Sequence, residues 1–300
     1  MAAGEFRVLA INPGSTSTKF ALYVNDAAVL VKNVRHSDVE LEPFRGRSIL
    51  DQQDYRTAQI EGALAEAGHD IRSLSAVVGR GGLLPPVESG TYLVDDAMLQ
   101  ELRMARRGEH AANLGAFLAH SLAQPAAAPA FIVDPVSVDE WPEHARLSGS
   151  ALLERQCLSH ALNSKAVAKR FAREHGKAYP SLRLIVAHLG SGISVSAHEN
   201  GRMIDVTNSR EEGAFSTERA GSVPVMQLVD LCFSGRYTQK QVETLLFREG
   251  GLYSYLGTKD LVEVERRIDC GDEVARKVFD AMVYQIAKEI GAMGAVLHQP

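Results

Sequence analysis

The sequence predicts an α/β protein of two domains, each opening on the same unit of strand, loop, strand, turn and strand. Its 300 residues are about twice the ~150-residue norm for one domain, so two domains of similar size are expected. A pattern of apolar runs and polar turns at 8–34 returns at 182–206 with slight identity, the mark of a duplicated supersecondary unit. The rest of each half carries helical periodicity, as helices covering a sheet require. The Pro- and Ser-bearing stretch 135–150 is the expected boundary, giving an N-terminal domain at 1–150 and a C-terminal domain at 151–300.

The elements follow in order. Residues 8–11 suit a buried strand, 12–18 (NPGSTST) a polar loop, 19–24 a second strand, Asn25 and Asp26 a turn, and 28–34 a third strand. A helix is expected over 56–67, stopped by Gly68, then a strand over 74–78 that runs into GRGG at 79–82. Helices near 95–107 and 111–122 precede a strand at 130–133 that ends on Asp134. The second half is expected to begin with a helix across 151–175. Its strands are expected at 182–187, 193–197 and 202–206, joined by HLGSG (188–192) and by a turn at Glu199, Asn200 and Gly201. Beyond Pro224 every segment reads as helix. Thr238 with Gln241 spells a capping box and Thr258 is a candidate cap. Asp272 heads a long helix with Val274, Val278, Met282, Ile286 and Ile290 on one face. The first half has two strands after its hairpins and the second none after Val206. The second sheet is therefore expected to lack at least one C-terminal strand, and the chain a further helix.

Composition excludes several function classes. Apolar residues at 45% and charged residues at 23% exclude a disordered tail protein. Lys and Arg number 32 against 37 Asp and Glu, a net charge of -5, which argues against a broad nucleic-acid surface. Any anion site must then be built locally. Cys157, Cys232 and Cys270 form neither a disulfide framework nor a CxxC metal pattern, and they suit a reducing compartment. Glu5 and Arg7 stand where a signal peptide needs apolar residues, and no run approaches the ~18 apolar residues of a membrane span. A soluble, cytoplasmic protein without membrane contact is expected.

Two loops carry the candidate chemistry. Gly14, Ser15 and Thr16 in the first, and Gly190, Ser191 and Gly192 in the second, can turn backbone N–H groups toward phosphate oxygens. The first is not a Walker A loop, because Lys19 lacks the preceding Gly and leads into a strand. Each candidate also has an ordinary reading. The first loop can be a plain hairpin, Arg80 and Arg219 surface charges, and His188 a hydrogen-bonded core histidine. His110 can be a surface residue before a helix, and Asp134 a turn cap. Their arrangement says more. Two equivalent loops, one per domain, are expected to face each other across a cleft that grips a nucleoside triphosphate and closes to exclude water. Arg80, His110, His188 and Arg219 would then oppose developing phosphate charge.

INPGSTSTKFALY (11–23), VGRGGLLPPVESGTY (78–92), HAANLGA (110–116), HALNSKAVAKRFA (160–172), HLGSGISVSA (188–197) and FSTERAGSVP (215–224) closely resemble butyrate kinases. These stand with acetate kinases in the superfamily of sugar kinases, actin and heat-shock-chaperone ATPases. The resemblance runs from about residue 6 to residue 298. It implies two duplicated actin-like, ribonuclease H-like domains around a nucleotide cleft, the second lacking its C-terminal strand. It implies reversible transfer of the γ-phosphoryl of ATP to butyrate, giving butyryl phosphate and ADP, with Mg²⁺, in a homodimer or larger homo-oligomer. A carboxylate is already ionised at pH 7, so no general base is needed.

By motif match, Asn12 would sit by the phosphoryl group or its Mg²⁺, and Arg80 would bind the substrate carboxylate. His188 and Arg219 would hydrogen-bond the transferring phosphoryl, and His110 matches a family active-site histidine. Asp134 matches the acidic residue that acts through the metal by way of water. Gly14, Ser15, Thr16, Gly190, Ser191 and Gly192 would lie along the nucleotide phosphates. Family members continue past the long helix with a strand, a Gly-Gly adenosine turn and a distal acidic active-site residue, so those parts are expected to be missing. Two alternatives stand. One is a branched-chain or other short-chain fatty acid kinase, with Leu83 and Leu84 as candidate pocket walls, since one methylene is worth only about 1–3 kcal/mol. The other is a catalytically silent nucleotide-binding relative.

Overall fold

A computed structural model describes residues 4–298. The chain divides into two compact units between Val138 and Asp139, within the 135–150 stretch. In the first unit the strands are β1 (Arg7–Pro13), β2 (Ser17–Val24), β3 (Ala27–Arg35), β4 (Ala76–Arg80), β5 (Thr91–Leu93) and β6 (Ala130–Val133). Among the described residues they form a sheet in the order β3-β2-β1-β4-β6-β5. The central strands β1, β4 and β6 run parallel, and the hairpin strands and β5 are antiparallel. The helices are α1 (Asp38–Leu41), α2 (Gln53–Glu66), α3 (Asp96–Met104) and α4 (Leu114–Ala123).

Alternation along the strands decides what packs where. Leu9, Ile11, Phe20, Leu22, Val77 and Ile132 turn to one face and meet Ile60 and Leu64 of α2 and Leu114, Phe117 and Leu118 of α4. Each such side chain contributes about 1.5–3 kcal/mol by burial. Helix α4 is buried nearly all round, as its LGAFLAHSLA sequence demands. It lies so close to β4 that a Cβ on Gly79 would stand 2.0 Å from Gly115 O, and one on Gly115 would stand 2.0 Å from Arg80 O. The GRGG run is therefore required first by packing. Leu84 joins this core.

The second unit contains α5 (Glu143–Arg146), α6 (Ala161–Glu174), β7 (Leu184–Leu189), β8 (Ile193–Glu199) and β9 (Arg202–Val206). Then come α7 (Val225–Cys232), α8 (Gln239–Phe247), α9 (Gly251–Leu256), α10 (Leu261–Asp269) and α11 (Glu273–Leu297). Among the described residues its sheet is three-stranded and antiparallel, in the order β7-β8-β9. Ile193, Val195 and Ala197 of β8 meet Met293 and Leu297 of α11. On the α6 side, Ala168 and Ala172 pack with Tyr179 and Val186.

The duplication is visible in detail. The loops β1–β2 and β7–β8 each comprise three residues, 14–16 and 190–192. The next turns both hold an Asn in the left-handed region, Asn25 (φ 52°) and Asn200 (φ 51°). Both middle strands carry an irregularity in register just before that turn, at Leu22/Tyr23 and at Ala197/His198.

Four local readings need correction. The 12–18 loop is shorter than expected, because Asn12 and Pro13 belong to β1 and Ser17 and Thr18 to β2. Strand β5 is a three-residue edge too short to leave a periodic signal. The helix expected from 151 begins only at Ala161, because Arg155 is drawn to Asp205 (3.1 Å) and Glu212 (2.8 Å) and Ser209 N–H donates to Leu158 O. Thr258 is not the cap of α10: Asp260 accepts from Val262 N–H in that role, while Thr258 Oγ1 donates to Glu263. The Thr238–Gln241 capping box and the Asp272 cap are present. On α11, Met282 is buried while Val274 and Ile290 are exposed. No helix among the described residues is long and apolar enough to cross a membrane.

Candidate active site

In the first unit the candidates gather at the carboxyl ends of the parallel strands, where open α/β sheets place their ligands. Register sets Lys19 opposite Asn12, Ile11 beside Gly79, and Arg80 beside Val133. Lys19, Asn12, Arg80 and Asp134 thus follow one another along a single sheet edge. Arg80 Nη1 lies 3.5 Å from Asn12 Oδ1, at the outer limit of a hydrogen bond. Arg80 has no ion-paired carboxylate among the described residues, and burial lowers its pKa. The β1–β2 loop with Gly14, Ser15 and Thr16 closes on a bond from Gly14 N–H to Ser17 O (2.7 Å).

Asp134 is buried and left-handed (φ 38°), and its Oδ1 accepts from Ser89 Oγ (2.6 Å) and Gly90 N–H (2.9 Å). It therefore fixes the 89–90 segment, whatever else it does. His110 caps the short 3-10 turn Ala111–Asn113, its Nδ1 accepting from Ala112 N–H (3.1 Å), so the neutral ring carries its proton on Nε2.

In the second unit the structure assembles His188, Gly190, Ser191, Gly192 and Arg219, together with two residues missed in the sequence, His160 and Asn163. His160 stands at the N-terminus of α6 and stacks on His188 with centroids 3.8 Å apart and planes 9° from parallel. Asn163 Nδ2 donates to His188 Nδ1 (2.9 Å), which places the proton of the neutral ring on Nε2. His160 Nδ1 lies 2.9 Å from Ser194 Oγ. A Cβ on Gly192 would fall 2.7 Å from Arg219 Nη1 and 3.2 Å from His160 Cε1, so this glycine admits both side chains to the loop backbone.

Arg219 is fastened from behind. Its Nη1 donates to Ser209 O (3.0 Å), its N–H to Ser216 Oγ (3.1 Å), and Ser216 Oγ in turn donates to Ser191 O (2.5 Å). The N-terminal end of α9 holds the same loop, since Gly250, Leu252 and Tyr253 N–H donate to Glu218, Ser216 and Thr217 carbonyls. No carboxylate is ion-paired with Arg219 among the described residues, and burial lowers its pKa. The glycine loop thus has a guanidinium and two stacked imidazoles beside it, a set of groups that suits an anion. His160 and Asn163 lie within the HALNSKAVAKRFA run, so the motif contained them although spacing gave no reason to choose them.

The comparisons with known proteins bear on this geometry. A "Probable butyrate kinase" of Listeria monocytogenes (serotype 4a, strain HCC23) is 47% identical over 294 residues, covering 98% of this chain and 82% of the relative. The chain belongs to the acetokinase family. The model of the acetokinase family itself matches residues 151–299. A "Probable butyrate kinase" of Listeria innocua is likewise 47% identical over 295 residues, with 98% of this chain and 82% of the relative covered. Among solved structures, Porphyromonas gingivalis acetate kinase aligns with a TM-score of 0.79 at 19% identity, covering 97% of this chain and 80% of that one. A Francisella tularensis propionate kinase aligns at 0.75 with 18% identity, covering 98% and 81%. At such identities these two speak for the acetokinase fold alone, which is mixed α/β as expected.

The family implies a nucleotide and a divalent metal. Among the described residues no group of three or more His, Cys, Asp and Glu converges into a cage. Asn12 and Asp134 offer hard oxygen donors on one sheet edge, separated by two strand spacings of about 4.8 Å each. That suits a Mg²⁺ that keeps most of its waters and rides on phosphate oxygens, so the residues present fit the group.

Proposed function

We propose that this acetokinase family member transfers the γ-phosphoryl of ATP reversibly to a short-chain carboxylate, butyrate first, giving an acyl phosphate and ADP. The observation that carries this reading is the Arg219, His160 and His188 cluster against the glycine loop, which supplies fixed donors and an unpaired cation. In the proposed reaction a carboxylate oxygen attacks the γ-phosphorus and the bond to the β–γ bridging oxygen breaks. No proton has to move, so the work is positioning and charge stabilisation.

Arg80 holds the carboxylate, with Asn12 beside it. Arg219, with His188 presenting its Nε2–H and His160 stacked beside it, stabilises the transferring phosphoryl. The Gly14–Thr16 and Gly190–Gly192 backbones lie along the nucleotide phosphates, and His110 offers its Nε2 proton as a further donor. Asn12 and, through water, Asp134 would hold Mg²⁺, which supplies charge neutralisation of the phosphate oxygens. Butyrate as the preferred acid is supported by the 47% identical relatives named as probable butyrate kinases. A silent binding role is less well supported, because a pure binding module needs no such set as Asn12, Arg80, His188 and Arg219 together.

The test is the reverse reaction. ATP formation from ADP and butyryl phosphate, compared with acetyl phosphate, is expected to proceed with the higher kcat/KM for butyryl phosphate. Equal or better use of acetyl phosphate would overturn the butyrate assignment, and ATP from neither would overturn the kinase reading.

A further inference from the structure

Arg56 of α2 is fully buried, with 0% of its surface exposed. Every hydrogen bond it makes goes to an uncharged oxygen. Nη1 donates to Gly14 O (2.8 Å), Ser17 O (3.1 Å) and Thr18 Oγ1 (2.9 Å). Nη2 donates to Ser15 O (3.1 Å) and Gln52 Oε1 (2.7 Å), and Nε to Gln52 Oε1 (3.0 Å). No carboxylate is ion-paired with it among the described residues. Burial pulls its pKa down to about 10, so it is still a cation at pH 7. Buried charges are ordinarily paired, because an isolated one has lost its hydration without recompense.

Peptide geometry shows where the balancing charge belongs. In a trans peptide the C=O of one residue and the N–H of the next point in opposite directions. Gly14 O and Ser15 O both point at Arg56, so Ser15 N–H and Thr16 N–H are directed away from it. Those two amides meet no acceptor among the described residues. The loop is thus polarised through its thickness: cation beneath, carbonyls inward, donors outward. Such consecutive N–H groups make an anion-binding concavity.

We propose that Arg56 is the positioning and electrostatic residue of the Gly14–Ser17 loop, its unpaired charge being balanced by the phosphate that the Ser15 and Thr16 amides receive. This rests on the reading of that loop as a nucleotide-phosphate site. Arg56 touches no substrate and acts through the loop.

The experiment uses the full chain and chemical rescue. Mg-ATP affinity is measured by titration calorimetry for the wild type and for Arg56→Ala, alone and with about 10 mM guanidinium chloride, urea or sodium chloride added. The expected result is a loss of at least tenfold in affinity for Arg56→Ala, recovered by guanidinium and by neither urea nor sodium chloride. Urea has the same planar shape without the charge, so rescue by both would assign Arg56 to packing alone and overturn the electrostatic role. Unchanged affinity in a folded Arg56→Ala would also overturn it.

Should that variant not fold, amide NMR of the wild type decides. Mg-ATP is expected to shift the Ser15 and Thr16 amides together with Arg56 Nε–H, whereas shifted amides with an unmoved Arg56 would refute the coupling. Absence of any Mg-ATP binding by the wild type would refute the loop reading itself, an outcome distinct from the failure of Arg56 alone.

Discussion

His198 lies fully buried on β8, its Nδ1 2.6 Å from Tyr179 Oη and its Nε2 2.8 Å from Ser196 Oγ. Burial, followed by the charge of Lys165, pushes its pKa down to about 4 from an ordinary 6.5. Between those two values the unfolded chain binds a proton that the folded chain refuses. Stability therefore rises with pH across this window and falls as pH drops from 6.5 to about 4, by roughly 3 kcal/mol in full. Urea denaturation at pH 7.5 and at pH 4.5 is expected to show a loss of about 2–3 kcal/mol in the wild type and a smaller one in His198→Gln. Equal losses in both proteins would refute the assignment to His198. At this scale the sequence was least informative. Arg219 reaching Gly192 and Arg56 lying under residues 14–18 are contacts between distant segments, and no local period encodes them.

Helix α6 has His160 as its N-cap residue, Asn163 in its first turn and Lys165 just beyond. Lys165 Nζ is ion-paired with Glu140 (2.5 Å) and donates to Gly201 O (3.3 Å), while Met203 N–H donates to the same Glu140 carboxylate oxygen (2.7 Å). Both side chains are buried, so this pair anchors α6, the 139–141 segment and β9 to one another. Removing one partner strands a buried charge: Glu140→Ala is expected to cost about 3–5 kcal/mol, whereas Glu140→Leu with Lys165→Met restores most of the loss. Chemical denaturation of the single and double variants checks this, and an equally unstable double variant would contradict it. Elements were legible where a cap marked their start, as at the Thr238–Gln241 box of α8 and the Asp272 cap of α11. They were not legible at 151–160, where Arg155 is engaged by Asp205 and Glu212 and an otherwise helix-compatible stretch is held in loop conformation.

Over the whole molecule, the duplicated hairpin unit was readable because loop length, turn chemistry and strand spacing repeat even where residues do not. Loops of three residues at 14–16 and 190–192, followed by turns on Asn25 and Asn200, put one glycine-bearing loop in each unit. Each unit also supplies a guanidinium with no ion-paired carboxylate among the described residues, Arg80 in the first and Arg219 in the second. Edge strand β5 and the burial of Arg56 escaped the sequence because both depend on tertiary neighbours.

The central claim is that these groups move a phosphoryl group onto a carboxylate. The most direct measurement is hydroxylamine-trapped acyl phosphate formation from Mg-ATP and butyrate, by the wild type and by Arg219→Ala. Butyryl hydroxamate is expected from the wild type, with a fall of about 10³-fold or more in the variant. A folded wild type that yields no hydroxamate, or an Arg219→Ala variant as active as the wild type, would contradict the account.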